Sequence, residues 1–589
     1  MDMLLRHISM RDLADMYDRH ADCSPVPYLR DPASPSRIRR LARQNGLWDQ
    51  LDALDPTAGI AAFRGSQFRQ LRRFKDRRDA GFYQHRSGPF SETILATWLN
   101  HPNGDVDFLQ DLAWAYCEDT TWVHGVHDHC DLDLNAASKG ADLAELVHVF
   151  GDRLDGAVRE RIAKEVQQRL FGAFWNWRKP EWWKTDGSNW NHVCNGSVIR
   201  AALYLVDDPE VLAHLTHGAI QGLTYALDAF ADDGGCTEGP GYWRYGFGHY
   251  LRAAHALHQR TGGELDIMAG DKLERICRYP LAAHISGPAY APFADASPGW
   301  MPAWIPLLIN RFVRAPELYD LCRLHPNRSL CLSGLLDLAL YDGERAGGVP
   351  DPADYELPEL GQVKLRGGPG RRQLTVAALA GHNGGHHNHN DVGSFVVARG
   401  ERLLLTDPGA PMYTEQTFSA RRYEIIHCRS RGHSVPVIGG REQLVGATHR
   451  GTLETHNLNG TGVRRAVIDM TRAYPRGSVR RLVRTLELDG ETNRLELCDE
   501  YAFASPPQAL EEAFVTFEQA TVAGGGAQVQ VGPKNGGLAL RAVDTPGSFA
   551  VEVLEEETRP HARTEKAIVR ITFTPSHLCE RMCLRFAID

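Results

Sequence analysis

Residues 347–358 read GGVPDPADYELP, and the pattern of the chain changes across them. This stretch is rich in Gly, Pro and acid, a composition that breaks regular structure and suits a linker. Before it, apolar residues recur with a helical period. Val158, Ile162, Val166, Leu170 and Phe174 follow one another at steps of four, which stacks them on one helical stripe. Leu212, Leu215, Ala219, Leu223, Ala226, Leu227 and Phe230 form a second such stripe. Further helices are expected over 106–119, 191–206 and 243–260, separated by short Gly-, Pro- and Asp-rich turns as in antiparallel helical hairpins. No fixed-period repeat marks a solenoid.

Beyond the linker the period becomes two and β-branched residues accumulate. Leu374–Leu379, Ser394–Ala398, Leu482–Leu488, Leu495–Cys498, Phe549–Leu554 and Ile568–Phe573 read as strands, with glycine-rich turns such as Ala523–Ala527 and no long helix among them. That pattern predicts an antiparallel β-sandwich. The expected organisation is a helical domain over 1–346, a linker over 347–360 and a sandwich over 361–589, a multidomain α+β chain.

At 589 residues the chain exceeds a single ordinary core. Its 24% charged and 43% hydrophobic composition is that of a globular protein, and a formal charge of −9 argues against a broad nucleic-acid footprint. An anionic sugar is not excluded, since a small site needs only a few local donors. The start, MDMLLRHISMRDLADMYDRH, holds no apolar run, and no later stretch reaches membrane length. Twelve cysteines stand singly, without a CxxC pair. The expectation is a cytoplasmic protein with reduced thiols, no membrane and no nucleic-acid partner, free to form a homo-oligomer.

Four stretches concentrate polar chemistry. In Ser188–Gly196 (SNWNHVCNG), Asn191 and His192 sit at a loop-to-helix junction, where Asn also serves as a plain cap and His as a core residue. Asp233–Tyr245 (DGGCTEGPGYWRY) is a glycine-rich turn carrying Glu238, Tyr242 and Tyr245; the two tyrosines share a face if a helix starts there, and aromatic packing is the plainer alternative. Gly381–Asp391 (GHNGGHHNHND) packs four histidines and three asparagines into eleven residues. His387 and His389 alternate as a strand-edge pair, and His389 with Asp407 and His433 has the chemistry of a zinc site or of a metal-free hydrogen-bond network. Finally, Trp122 stands beside His124 and His127, a sugar-stacking group or a buried indole with surface histidines.

Taken together, Glu118–His127, Asn189–Gly196, Asp233–Tyr245, Gly381–Phe395 and Arg422–Gly440 resemble the heparinase II/III-like polysaccharide lyases, most closely the branch of exo-acting oligoalginate and heparin lyases. His387–Gly393 (HNHNDVG) carries most of the resemblance. It implies an incomplete α/α toroid followed by an antiparallel β-sandwich, and cleavage of a uronate-containing oligosaccharide, of alginate or heparin/heparan-sulfate type, by β-elimination. It also implies catalytic roles for His192, Asn191, Tyr245 and His387, with Tyr242 as the alternative tyrosine. Trp122, His124, His127, Glu238, Tyr242 and Arg422 become substrate contacts, and His389, Asp407 and His433 ligands of a structural zinc ion. The competing readings are a glycoside hydrolase using Glu238 and Asp233, a non-catalytic sugar-binding protein, and a zinc hydrolase, for which no HExxH motif is present.

Overall fold

The computed structural model describes residues 7–30, 34–44, 46–77, 84–176, 178–296, 301–323, 354–370 and 373–589. The chain forms two compact units: Met1–Phe230, Trp243–Cys277 and Met301–Val349 in one, and Ala231–Tyr242, Arg278–Trp300 and Pro350–Asp589 in the other. One division between the units lies between Val349 and Pro350, and two features differ from the expected limits. Residues 231–242 and 278–300 belong to the β unit although they lie within the helical half of the sequence. The expected linker 347–360 is partly strand: Tyr355–Leu357 pairs antiparallel with Gln362–Arg366, while 347–353 lie outside the described residues.

In the helical unit, α1 (Leu134–Phe150) begins at Asp133, whose carboxylate accepts from the Ala136 amide at 2.8 Å. The helix α2 (Asn189–Leu205) is buried on nearly every side and packs against α1, α3 (Pro209–Ala229) and α4 (Gly248–Arg260). Such a helix shows no amphipathic stripe because it has no solvent face. Glycines allow the close approach: a Cβ on Gly196 would lie 2.9 Å from the His249 carbonyl oxygen, and one on Gly222 would lie 2.7 Å from the Asn195 amide. The step-of-four stripe is also realised, with Ile162, Val166, Leu170 and Phe174 all buried. Its helix passes through a π turn at Gln167–Phe171. Among the described residues no helix is long and apolar enough to cross a membrane.

His192 of α2 is buried among the rings of Phe230, Phe247 and Tyr250, with centroid distances of 5.9, 6.4 and 5.5 Å. Burial lowers its pKa from 6.5 to about 3, so the ring is neutral at ordinary pH.

The β unit contains a five-stranded sheet built around β1 (Leu374–Leu379) and β2 (Phe395–Arg399), an eight-stranded sheet containing β3 (Arg481–Asp489) and β4 (Arg494–Ala502), and a four-stranded sheet containing β5 (Leu510–Thr516). Among the described residues, apart from one short parallel pair in the helical unit, the paired strands run antiparallel. Alternate residues of β3 and β4 point inward, and the register sets Leu486 opposite Leu497 and Leu488 opposite Leu495. These join Val376, Phe395, Phe514, Phe573 and Phe586 in one apolar core shared by the sheets. A fold of helical unit and antiparallel sandwich is therefore the one the sequence predicts.

One buried cation ties this sandwich to the His-rich loop. Arg484 of β3, fully buried, donates Nε to Asp499 Oδ1 at 2.9 Å and Nη2 to Glu512 Oε2 at 3.2 Å. Its Nη1 donates to the backbone oxygens of Gly393 (2.8 Å) and Ser434 (2.6 Å), the residues beside Asp391 and His433. Removing the guanidinium strands two buried carboxylates, so Arg484→Ala is expected to cost about 3–5 kcal/mol, read as a lower urea midpoint. A second expectation concerns pH. An unfolded His192 takes up a proton near pH 6.5 that the folded chain refuses until about pH 3, so stability is present above that window and lost as pH falls through it. His192→Leu should lose less stability between pH 7 and pH 4.5 than the unmutated protein, measured by thermal unfolding at both values.

Candidate active site

The His-rich loop connects β1 to β2 and forms turns rather than the strand-edge His-x-His pair that alternation predicts. His387 takes a left-handed backbone conformation, φ +56°, which costs a non-glycine residue of the order of 1 kcal/mol and has to be held by its surroundings. The holder is Asp295. Its backbone amide donates to the His387 carbonyl oxygen at 3.1 Å, and its Oδ2 receives His387 Nδ1 at 2.6 Å. The same oxygen accepts from the Tyr413 hydroxyl at 2.9 Å. Its other oxygen, Oδ1, accepts from His389 Nε2 at 3.0 Å and Arg422 Nη2 at 2.8 Å. Burial alone would push Asp295 up, but the hydrogen bonds from both histidines and the charge of Arg422 hold its carboxyl well below the usual range. Asp295 is thus a fully buried anion with every lone pair in use.

With Nδ1 fixed, Nε2 is the His387 ring atom without a partner among the described residues. The ring lies flat on Tyr242, centroids 4.2 Å apart and planes 21° from parallel. The Tyr242 hydroxyl is hydrogen-bonded to that of Tyr413, which in turn donates to Asp295. Tyr242 therefore serves as a platform for His387, its hydroxyl engaged within the protein. Arg422 is a clamp rather than an open substrate contact. Besides Asp295 it donates to the carbonyl oxygens of Asn388 and Thr417, both at 3.3 Å. Glu238 is buried. Asp233, the second carboxyl of the hydrolase reading, receives the backbone amides of Gly235, Glu359 and Leu360 at 2.8–3.0 Å and is a backbone staple.

Behind this group His389, Asp391, Asp407 and His433, all buried, place ligand atoms within 4.8 Å of one another. The donor set fits a zinc ion on two counts. His433 Nε2 donates to the His427 carbonyl oxygen at 2.9 Å and His389 Nε2 donates to Asp295, so each ring turns its Nδ1 to the common centre. Moreover, His389 Nδ1 and Asp391 Oδ2 are buried with no hydrogen-bond partner among the described residues, a costly arrangement that a cation would relieve. Without one, burial and the Asp407 charge push Asp391 up to about 7, while Asp407 and Asp391 outweigh the burial of His433 and raise it to about 9. A divalent ion would take the place of that proton. Asp391 joins the three expected ligands; its alternation with His389 in the sequence is the signal that marks it.

The helical unit rearranges the remaining candidates. Asn191 does not offer a free amide: Nδ2 donates to the carbonyl oxygens of Trp183, Lys184 and Gly222 at 2.9–3.1 Å, and Oδ1 accepts from Asn195 at 3.1 Å. Asn189 instead borders the tyrosine segment. A Cβ on Gly246 would lie 3.0 Å from Asn189 Cβ and 3.6 Å from His192 Nδ1, so Asn189, His192 and the residue next to Tyr245 meet at this glycine. Tyr245 lies on a π turn, Trp243–Phe247, and is 39% exposed, with its ring edge-on to His249 at 5.5 Å. Trp122 is core, 2% exposed, donating to the Tyr116 carbonyl oxygen at 2.8 Å beneath Arg169. His124 is lowered to about 3 by burial and caps its own turn through Val126. His127 is held by Asp133 at 2.8 Å and meets Trp190 at 4.7 Å, and Trp190 meets the exposed Trp182 at 5.1 Å. Next to these histidines, the indoles nearer the surface are therefore the exposed Trp182 and the half-buried Trp190.

Residues 350–586 match the family described as heparinase II/III-like, C-terminal. No curated protein sequence matches the chain. Among solved structures, a heparinase III (the BT4657 gene product) aligns with a TM-score of 0.59 at 14% identity, over 96% of this chain and 92% of that one. The heparan sulfate lyase HepC from Pedobacter heparinus gives 0.59 at 14%, over 98% and 88%. A Streptomyces coelicolor A3 chondroitin AC lyase, solved with chondroitin sulphate, gives 0.55 at 10%, over 98% and 82%. At these identities the likeness is one of fold. The carboxy-terminal segment 350–586 thus matches the heparinase II/III-like C-terminal family, and the chain as a whole has the helical and sandwich fold of these lyases.

Proposed function

We propose that this protein is a polysaccharide lyase that cleaves uronate-containing glycans of the heparan or alginate type by β-elimination, working from the ends of oligosaccharides. The observation that carries the reading is the buried Asp295 group, which spends an ion pair, a second imidazole and a phenol on fixing one histidine, His387, with Nε2 left over. Such preorganisation suits a step limited by charge. The C5 proton of a uronate is weakly acidic because the neighbouring carboxylate is already negative, so that charge has to be met by donors as it grows. His387 Nε2–H, in the imidazolium form that carries a proton on both ring nitrogens, is the donor assigned to it, and Asn189 rather than Asn191 is the amide.

Proton transfer at C5 and at the leaving oxygen falls to Tyr245, the exposed phenol of the two candidates. His192, neutral by burial, is a base for the opposite ring face. Trp182 and Trp190 offer the aromatic faces on which sugar C–H surfaces stack. Zinc bound by His389, Asp391, Asp407 and His433 would supply positive charge and a fixed anchor for the loop, with no water to activate. The hydrolase reading loses support because Asp233 is engaged by backbone amides.

Incubation with defined uronate oligosaccharides should produce the ultraviolet absorbance of an unsaturated uronate. Reducing ends without that absorbance would refute elimination. His387→Ala and Tyr245→Phe should each lower kcat roughly 10²–10⁴-fold. Tyr242→Phe, which loses one neutral hydrogen bond, should lower it about 10-fold or less; the reverse order would make Tyr242 the proton carrier. For the metal, the purified chain should hold about one zinc, and Asp391→Ala or chelation should remove it and lower the unfolding midpoint. A chain without zinc whose midpoint ignores chelator would count against the site.

A further inference from the structure

A second cleft in the β unit is lined by arginine. Its volume is about 710 Å³, within the range of ligand pockets, roughly 300–1,000 Å³. Arg450 comes from the end of strand Gly446–Arg450, Arg472 from the single turn Thr471–Ala473, and Arg480 and Arg481 from the start of β3. Arg481 lies 3.8 Å from Glu500. The side chains of Arg450, Arg472 and Arg480 are exposed and make no hydrogen bond or ion pair with any described residue. Two carboxylates share the lining, Glu359 and Asp469, and Asp469 already accepts from the Thr471 amide at 2.9 Å. Backbone hydrogen bonds join the wall, the Gly361 carbonyl oxygen accepting from the Ala380 amide (2.6 Å) and that of Gly381 from the Gly451 amide (3.0 Å).

Three unpaired guanidiniums facing one cleft repel each other, and they stand out on a chain whose net charge is −9. Their planar forks match carboxylate and sulfate oxygens in pairs. We infer that this cleft is an anionic-sugar subsite, separate from the Asp295 group, which holds a carboxylate- or sulfate-bearing stretch of the glycan. The assignment of a glycan, rather than an acidic peptide, rests on the lyase reading above.

The test uses the full chain with Arg472→Ala and Arg480→Ala combined, and the same pair placed on His387→Ala so that probes stay intact. Heparan sulfate and alginate chains of defined length are titrated at low and moderate salt, with polyglutamate alongside. The inference expects the His387→Ala protein to bind at least one glycan, and the arginine pair to weaken that binding about 10-fold and flatten its salt dependence. It also expects KM on long chains to rise while kcat and KM on the shortest cleavable oligosaccharide stay unchanged. Unchanged glycan binding, polyglutamate binding as tight as glycan, or an equal loss on short and long substrates would overturn it. If the unmutated protein cleaves nothing, the lyase reading falls, and the titrations still decide the subsite.

Discussion

A buried carboxylate with no spare lone pair organises the β unit. An isolated Asp295 would be costly to ionise there, and Arg422, His387, His389 and Tyr413 together make the ionised form the stable one. The arrangement is reciprocal. Asp295 holds the left-handed His387, fixes which imidazole nitrogen is left over, and orients His389 toward the cluster with Asp391, Asp407 and His433. Loss of any one donor leaves charge or lone pairs unpaired in the interior, so the group behaves as a unit.

The rest of the sandwich keeps that unit in place. Arg484 grips the backbone at Gly393 and Ser434, close in sequence to Asp391 and His433, while Asp499 and Glu512 balance its charge. The apolar core around Phe395 and Phe514 fixes the strands that carry these residues. A zinc ion in the cluster would complete the same logic by replacing a proton among facing carboxylates and imidazoles. The charge network thus draws its members from separate stretches of the β unit between Asp295 and Glu512.

Much of the fold was legible because periodicity survives in half-buried elements. The stripe from Val158 to Phe174 and the alternation in Leu482–Leu488 each announce their structure locally. The His-rich loop was legible by composition. Asp295 and Tyr413 were not, since they lie 92 and 26 residues from His387 in runs without repeated polar chemistry. Helix α2 hid its roles for another reason: buried all round, it gives no face on which to rank Asn189 against Asn191. Trp122 misled in the same way, because an indole beside histidines reads alike whether it faces solvent or Tyr116.

The most direct test of elimination is the mass of the fragments released from a defined uronate tetrasaccharide. Elimination adds nothing, so the fragment masses are predicted to sum to that of the substrate. A sum heavier by one water would show that the bond is hydrolysed and would contradict the account.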